Sequence, residues 1–210
     1  MSQSSDNQES DSYHTVKKFH QTEIKIKGSR FIGYVRPVHN RAEAETFITE
    51  ISTQNYDATH NCFAYRVGLG SQSIFRYNDD GEPSGTAGKP ILQAIEGRNL
   101  TNTVVVVTRY FGGTKLGTGG LARAYGECAQ NTLQGAGTIQ KFLVTHLEID
   151  FEYHVQNAVM KVVNEMGGTI ISSDYTDRAR ILLGIRQSKS DECSARLVQA
   201  TAGKITIKKA

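Results

Sequence analysis

Between Asp79 and Gly120 the chain concentrates residues suited to holding an anion or moving a proton. Nine of its 20 glycines fall in this tract. The first loop, Asp79-Asp80-Gly81-Glu82-Pro83-Ser84-Gly85-Thr86-Ala87-Gly88-Lys89, carries three carboxylates and runs into Pro90, a natural first residue of a helix. The second, Phe111-Gly112-Gly113-Thr114-Lys115-Leu116-Gly117-Thr118-Gly119-Gly120, follows a run of valines and also enters a helix. Free N–H groups and the positive end of a helix dipole suit phosphate or carboxylate, and glycine permits close approach. Arg98, Arg109, Lys115 and Arg123 lie between Gly97 and Gly126 with no acid among them, which predicts a local basic patch. The candidate binding residues are therefore His60, Asp79, Asp80, Gly81, Glu82, Ser84, Gly85, Thr86 and Lys89, together with Arg109, Tyr110, Gly112, Gly113, Lys115, Gly117, Gly119, Gly120 and Arg123. The competing reading is a structural clasp in which Asp79, Asp80 and Glu82 pair with the basic residues.

Familiar enzyme motifs fail at these positions. A phosphate-binding P-loop needs glycine five residues before Gly88 and a hydroxyl residue after Lys89, where the chain has Pro83 and Pro90. Gly117 to Ala122 fits GxGxxA, but its loop leaves the strand several residues too early for a dinucleotide fingerprint, and no acid follows about 20 residues on within the domain. Gly81 to Gly85 has the wrong spacing for a nucleophile elbow, so Ser84 reads as a turn residue. His60 and Cys62, two apart on an expected strand, share a face and would suit a Cys–His pair or part of a metal site; a hydrogen-bonded histidine beside a packed thiol is the favoured alternative. The spacing of Asp79, Asp80 and Glu82 matches no EF-hand. No metal or cofactor is expected.

The elements that must position these residues follow from periodicity. Ile24/Ile26 and Phe31–Val35 predict a hairpin around Lys27-Gly28-Ser29-Arg30. Asn40 and Glu43 offer a capping-box start to a helix with Ala44, Phe47, Ile48 and Ile51 inward. Strands are expected at 61–67 and 73–77, and the four valines of Thr103–Tyr110 predict a strand covered on both faces. A last helix after Gly120 presents Leu121, Tyr125, Cys128 and Leu133. Beyond a linker near Gly135–Thr138, the pattern reads βαββαβ: a strand over 143–151, a helical stripe at Val155, Val159, Val162, Val163 and Met166, strands near 169–175 and 179–185, a helix with Cys193, Leu197 and Ala200 inward, and a strand at Ile205 and Ile207. That order is the ferredoxin-like plan. The fold class expected is α+β, with residues 1–15 a disordered tail, 16–137 an amino-terminal domain and 138–210 a ferredoxin-like domain.

Composition narrows the function classes. The net charge of +3 divides almost evenly over the chain, so neither part is a basic nucleic-acid-binding domain, and any such contact must be local. No apolar run approaches a membrane span, residues 1–15 lack the regions of a signal peptide, and three widely spaced cysteines suggest neither disulfides nor a CxxC site. A cytoplasmic protein without membrane contact is expected.

Four stretches resemble the IMPACT/YigZ family: Lys27-Gly28-Ser29-Arg30-Phe31; Ala58-Thr59-His60-Asn61-Cys62-Phe63-Ala64; Asp80 through Pro90; and Val107-Thr108-Arg109-Tyr110-Phe111-Gly112-Gly113 with Leu116 through Leu121. The resemblance covers nearly everything after the tail. It implies an amino-terminal domain like the second domain of ribosomal protein S5 and a carboxy-terminal domain similar to one in elongation factor G. It also implies a role near translation, because eukaryotic members of the family compete for the activator of a starvation-responsive initiation-factor kinase. The expectation is a non-enzymatic regulator binding RNA, the ribosome or a translation-related protein through Asp79–Gly120. The alternative is an enzyme acting on a small anionic or phosphorylated substrate, with His60 or the Asp79–Glu82 carboxylates as acid–base groups. A third reading is a protein-interaction module using the open sheet face of the ferredoxin-like domain.

Overall fold

A computed structural model describes residues 11–210 and divides the chain into two compact units. One comprises residues 13–141; the other comprises residues 142–210 together with the described residues 11 and 12.

In chain order the first unit contains β1 (Ser12–Val16) and β7 (Thr138–Phe142), each but for its terminal residue Ser12 or Phe142, and between them β2 (His20–Ile26), β3 (Ser29–Pro37), α1 (Arg41–Gln54), β4 (His60–Val67), β5 (Ile74–Asn78), α2 (Gly88–Glu96), β6 (Thr103–Tyr110) and α3 (Gly117–Ala136). Five strands form one antiparallel sheet in the order β2-β3-β6-β4-β5. β6 is central, which explains its valines. Val105 and Val107 pack toward α2 and α3, with Phe31, Ile91, Ile95 and Tyr125, while Val104 and Val106 pack toward α1, with Phe47, Ile51 and Tyr65.

Local chemistry sets the boundaries. Lys27 (φ 47°) and Gly28 (φ 83°) form the two-residue turn between β2 and β3, where positive φ at both positions matches strand twist. Asn40 caps α1, its side chain accepting from the Glu43 N–H at 2.9 Å. The Glu43 carboxylate reaches His39 rather than returning to Asn40 N–H, so only half of the expected capping box forms.

In the second unit, β8 (Val144–Phe151), α4 (Gln156–Met166), β9 (Thr169–Tyr175), β10 (Ala179–Arg186), α5 (Ser190–Ala200) and β11 (Ile205–Lys209) follow in βαββαβ order. The sheet order is β11-β8-β10-β9. Its core joins Leu147, Ile149, Phe151, Ile181, Leu183 and Ile185 to Val159, Val163, Met166, Cys193 and Leu197 of the helices. This is the expected ferredoxin-like arrangement, and the whole chain is α+β, an S5-like unit followed by a ferredoxin-like one.

Four expectations are corrected. The disordered tail expected over residues 1–15 lies outside the described residues as far as residue 10; Asp11 is buried and Ser12 begins β1. The linker expected at Gly135–Thr138 is the end of α3 and the start of β7, which pairs with β1. Pro90 is the third residue of α2 rather than its first, and Ala200 is exposed, the neighbouring Thr201 being buried instead. Short polar strands and helix ends carry little periodic signal, because partners distant in sequence stabilise them.

Candidate functional site

The first glycine-rich loop folds back on itself around Asp79. One oxygen of its carboxylate accepts from the N–H groups of Ala87 (2.9 Å) and Gly88 (2.8 Å), and the other accepts from Gly85 (2.9 Å). The amino-terminal end of α2 is thus already occupied by an anion from the chain itself, the most favourable place for a carboxylate. Gly85 (φ 75°) and Gly81 (φ 85°) permit the turns this requires. Thr86 donates to the Pro83 carbonyl at 2.6 Å, while Ser84 and Lys89 remain exposed.

β4 and the same loop are tied together. Asp80 accepts from the Asn61 N–H at 2.6 Å, and its carbonyl accepts from His60 Nδ1 at 2.6 Å. A carbonyl only accepts, so Nδ1 carries a proton. Cys62 donates through Sγ to the Asp79 carbonyl at 3.0 Å. His60 and Cys62 do share a face, but each bonds to loop backbone and they form no Cys–His pair. Burial pushes the Cys62 thiol far up, the opposite of what a nucleophile needs.

Beneath this loop lies a buried ion pair. Arg109, from the central strand β6, donates through Nη1 to Glu82 Oε1 at 2.6 Å, with both side chains almost fully buried. Tyr125 of α3 donates to the same oxygen at 2.8 Å, and His60 Nε2 lies 3.9 Å from it. Desolvation, then Cys62 and Glu82, push the Tyr125 hydroxyl far up, so it stays a donor. Arg109 Nη2 reaches Ser29 Oγ at 3.3 Å, and its guanidinium lies 5.4 Å from the ring centres of Phe31 and Phe111. Among the described residues, Arg109 Nε is the one buried side-chain polar atom without a hydrogen-bond partner.

The expected basic patch is therefore corrected. Arg109 is a neutralised, buried cation paired with Glu82, so the clasp reading holds for that acid alone; Asp79 and Asp80 bond to backbone N–H groups and to no basic side chain. Strand pairing places His60 opposite Arg109 and Arg109 opposite Phe31, so the partners converge across three strands. Tyr110 lies away from this cluster, donating to Asp57 at 3.0 Å beneath the Arg30 guanidinium, 4.4 Å from its ring centre.

The second loop behaves differently. Gly112 donates to Ser29 Oγ at 3.2 Å and touches the β2–β3 turn: a Cβ on Gly112 would lie 1.9 Å from the Gly28 carbonyl carbon. Beyond it the chain opens. Gly117, Gly119 and Gly120 belong to the first turn of α3 rather than to a loop preceding it. No side chain caps this end, no acid lies in its first turn, and a Cβ on Gly113, Gly117 or Gly119 would meet nothing within 4 Å. Lys115 and Arg123 are exposed on the same segment, and exposed Lys27 adjoins the Gly28–Gly112 contact. A 20-residue helix thus presents an uncapped, glycine-lined positive end to solvent.

Sequence reasoning missed Ser29, Asn61 and Tyr125 as partners in the clasp. Tyr125 carried a usable signal, since a tyrosine on an inward helical stripe needs a buried acceptor.

The chain as a whole is similar to known proteins. The Impact N-terminal domain profile matches residues 27–133, and that of a domain of unknown function (DUF1949) matches residues 149–204. The IMPACT family member YvyE of Bacillus subtilis (strain 168) is 38% identical over 197 residues, covering 94% of this chain and 90% of its own. YigZ of Escherichia coli (strain K12) is 34% identical over 183 residues, covering 87% and 90%. Protein IMPACT of Mus musculus is 31% identical over 118 residues, covering 54% of this chain and 36% of that protein. A solved structure described as a hypothetical protein superposes with a TM-score of 0.69 at 32% identity, covering 94% of this chain and 96% of that one. Among the described residues, no helix is long and apolar enough to cross a membrane.

Proposed function

Because the chain belongs to the IMPACT family, we propose that it is a non-enzymatic, translation-associated cytoplasmic regulator whose α3 amino terminus binds the phosphate backbone of RNA, free or on the ribosome. The family relation supports the regulatory part of this reading. One observation carries the ligand chemistry: of the two glycine-rich helix starts, α2 holds its own Asp79 carboxylate and α3 holds none. Lys115, Arg123 and Lys27 add positive charge around the open end, and glycine lets an oxyanion approach the N–H groups. An acidic segment of a translation protein has the same chemistry and is the competing ligand.

Ribosome co-sedimentation over a range of salt concentrations tests this reading. Lys115→Ala with Arg123→Ala should weaken binding and reduce the slope of log affinity against log salt by about one per lost phosphate contact. Unchanged binding in the folded double variant overturns it. Binding to purified translation proteins but not to ribosomal RNA transfers the site to a protein ligand.

A second reading rests on His60. Its Nδ1 is fixed by the Asp80 carbonyl, its Nε2 stands 3.9 Å from Glu82, and its side chain is 20% exposed, the arrangement of an acid–base group at the edge of a site. Thermal-shift screening of phosphorylated metabolites, then turnover assays on any stabilising compound, tests this alternative. A ligand whose effect survives His60→Ala removes it.

A further inference from the structure

The sheet of the first unit ends on β5, whose outer edge differs from those that proteins ordinarily show to water. All five of its residues are exposed, and three are large and apolar: Ile74 at 45%, Phe75 at 60% and Tyr77 at 42%. Its inner edge pairs with β4 from Val67↔Ile74 to Phe63↔Asn78, and among the described residues no strand pairs with its outer edge. Edge strands are normally blunted by charge, proline or a covering element. Here the single charge within the strand is Arg76, already bound to Glu45 at 2.7 Å.

We infer that β5 is a docking edge for an extended peptide segment of another protein, apolar in its middle and acidic toward its ends, which adds a sixth strand to the sheet. The unpaired backbone edge selects an extended partner, because hydrogen bonds to it require β geometry. Register sorts the side chains: Phe75 and Tyr77 stand on the α2 side, opposite Arg66 and Ala64, while Ile74 and Arg76 stand on the α1 side, opposite Val67 and Tyr65. Charge selects the composition. Arg66 marks one end of the α2 side, and exposed Lys89 marks the other, next to Gly88, which packs on the Asn78 backbone. The nearby Asp79 carboxylate is consumed by the cap on α2.

A second copy fits less well. To keep each face on its own side, a two-fold axis must pass through a residue; at Arg76 it sets two guanidinium groups opposite each other.

The test uses the full chain against a displayed library of random dodecapeptides, with enriched peptides resynthesised and titrated. The expected result is enrichment of sequences with an apolar centre flanked by Asp or Glu. Phe75→Glu should lower their affinity at least tenfold without changing the melting temperature, and Arg66→Glu should lower it less. Bound peptide should slow amide exchange across Ile74–Asn78. Three outcomes overturn the inference: no enrichment above that on the Phe75→Glu chain, enriched peptides that bind Phe75→Glu equally, or a dimer in sedimentation that Phe75→Glu dissolves. Ribosome binding is expected to be unaffected by Phe75→Glu, so the two proposed surfaces fail or stand separately.

Discussion

Arg109 and Glu82 meet at 2.6 Å beneath the first glycine-rich loop, although they are 27 residues apart and lie on a central strand and a loop. A charge buried this deeply is tolerable only with its partner in place. Arg109→Met or Glu82→Leu alone should therefore destabilise the first unit by about 3–5 kcal/mol. The double replacement should recover much of that loss. Urea denaturation of the two single variants and the double variant measures the coupling, and additive losses would show that the pair is not a unit.

Asp79 satisfies three backbone donors at the start of α2. Asp79→Ala should cost about 1–2 kcal/mol, and Asp79→Asn less, because the amide oxygen still accepts. Hydrogen exchange should quicken at Gly85, Ala87 and Gly88. Unchanged protection there would mean that α2 holds its own end without the cap.

Gly119 lies in the first turn of α3 with open space where a side chain would project. Gly119→Ala should raise stability by up to about 1 kcal/mol through helix propensity alone. Gly119→Asp should also stabilise, by interaction with the helix dipole, yet abolish ribosome binding because the carboxylate occupies the anion position. Comparing the melting temperature with co-sedimentation for both variants checks the pair. Full binding by Gly119→Asp would place the ligand elsewhere.

Asp11 is held well below the usual carboxylate range, chiefly by its hydrogen bond to Arg186, which forks onto both carboxylate oxygens. A carboxylate with a depressed folded value adds stability above its unfolded value, near pH 4, and loses it as the pH falls further. Wild type and Asp11→Asn should therefore differ in urea midpoint at pH 7 and converge toward pH 2. A constant difference across that range would remove the ionic contribution.

All three cysteines are buried, and desolvation raises each thiol, Cys128 to about 12. Native protein at pH 8 should resist iodoacetamide and take up three labels per chain in urea. Rapid labelling of Cys62 in the folded protein would show that the loop above it opens.

Much of the fold was legible because it is written in local patterns. The valines of β6 alternate between two cores, the stripe of α4 faces one, and the period-two runs of β8 and β10 lie on the inner face of the second sheet. Glycine density also marked a stretch of unusual backbone, since positive φ and close approach leave few other choices at Gly81, Gly85 and Gly112. Which charges in that tract are free was decided only by tertiary structure. Arg109 reads as a surface cation along the chain and becomes a buried one because β6 is central and Glu82 folds over it. Asp79 reads as a possible acid–base group and becomes a helix cap, while the similar glycine run at Gly117–Gly120 stays open. A side chain's charge is local information, but its neutralisation depends on neighbours across the sheet, and strand pairing sets those contacts without regard to spacing in sequence.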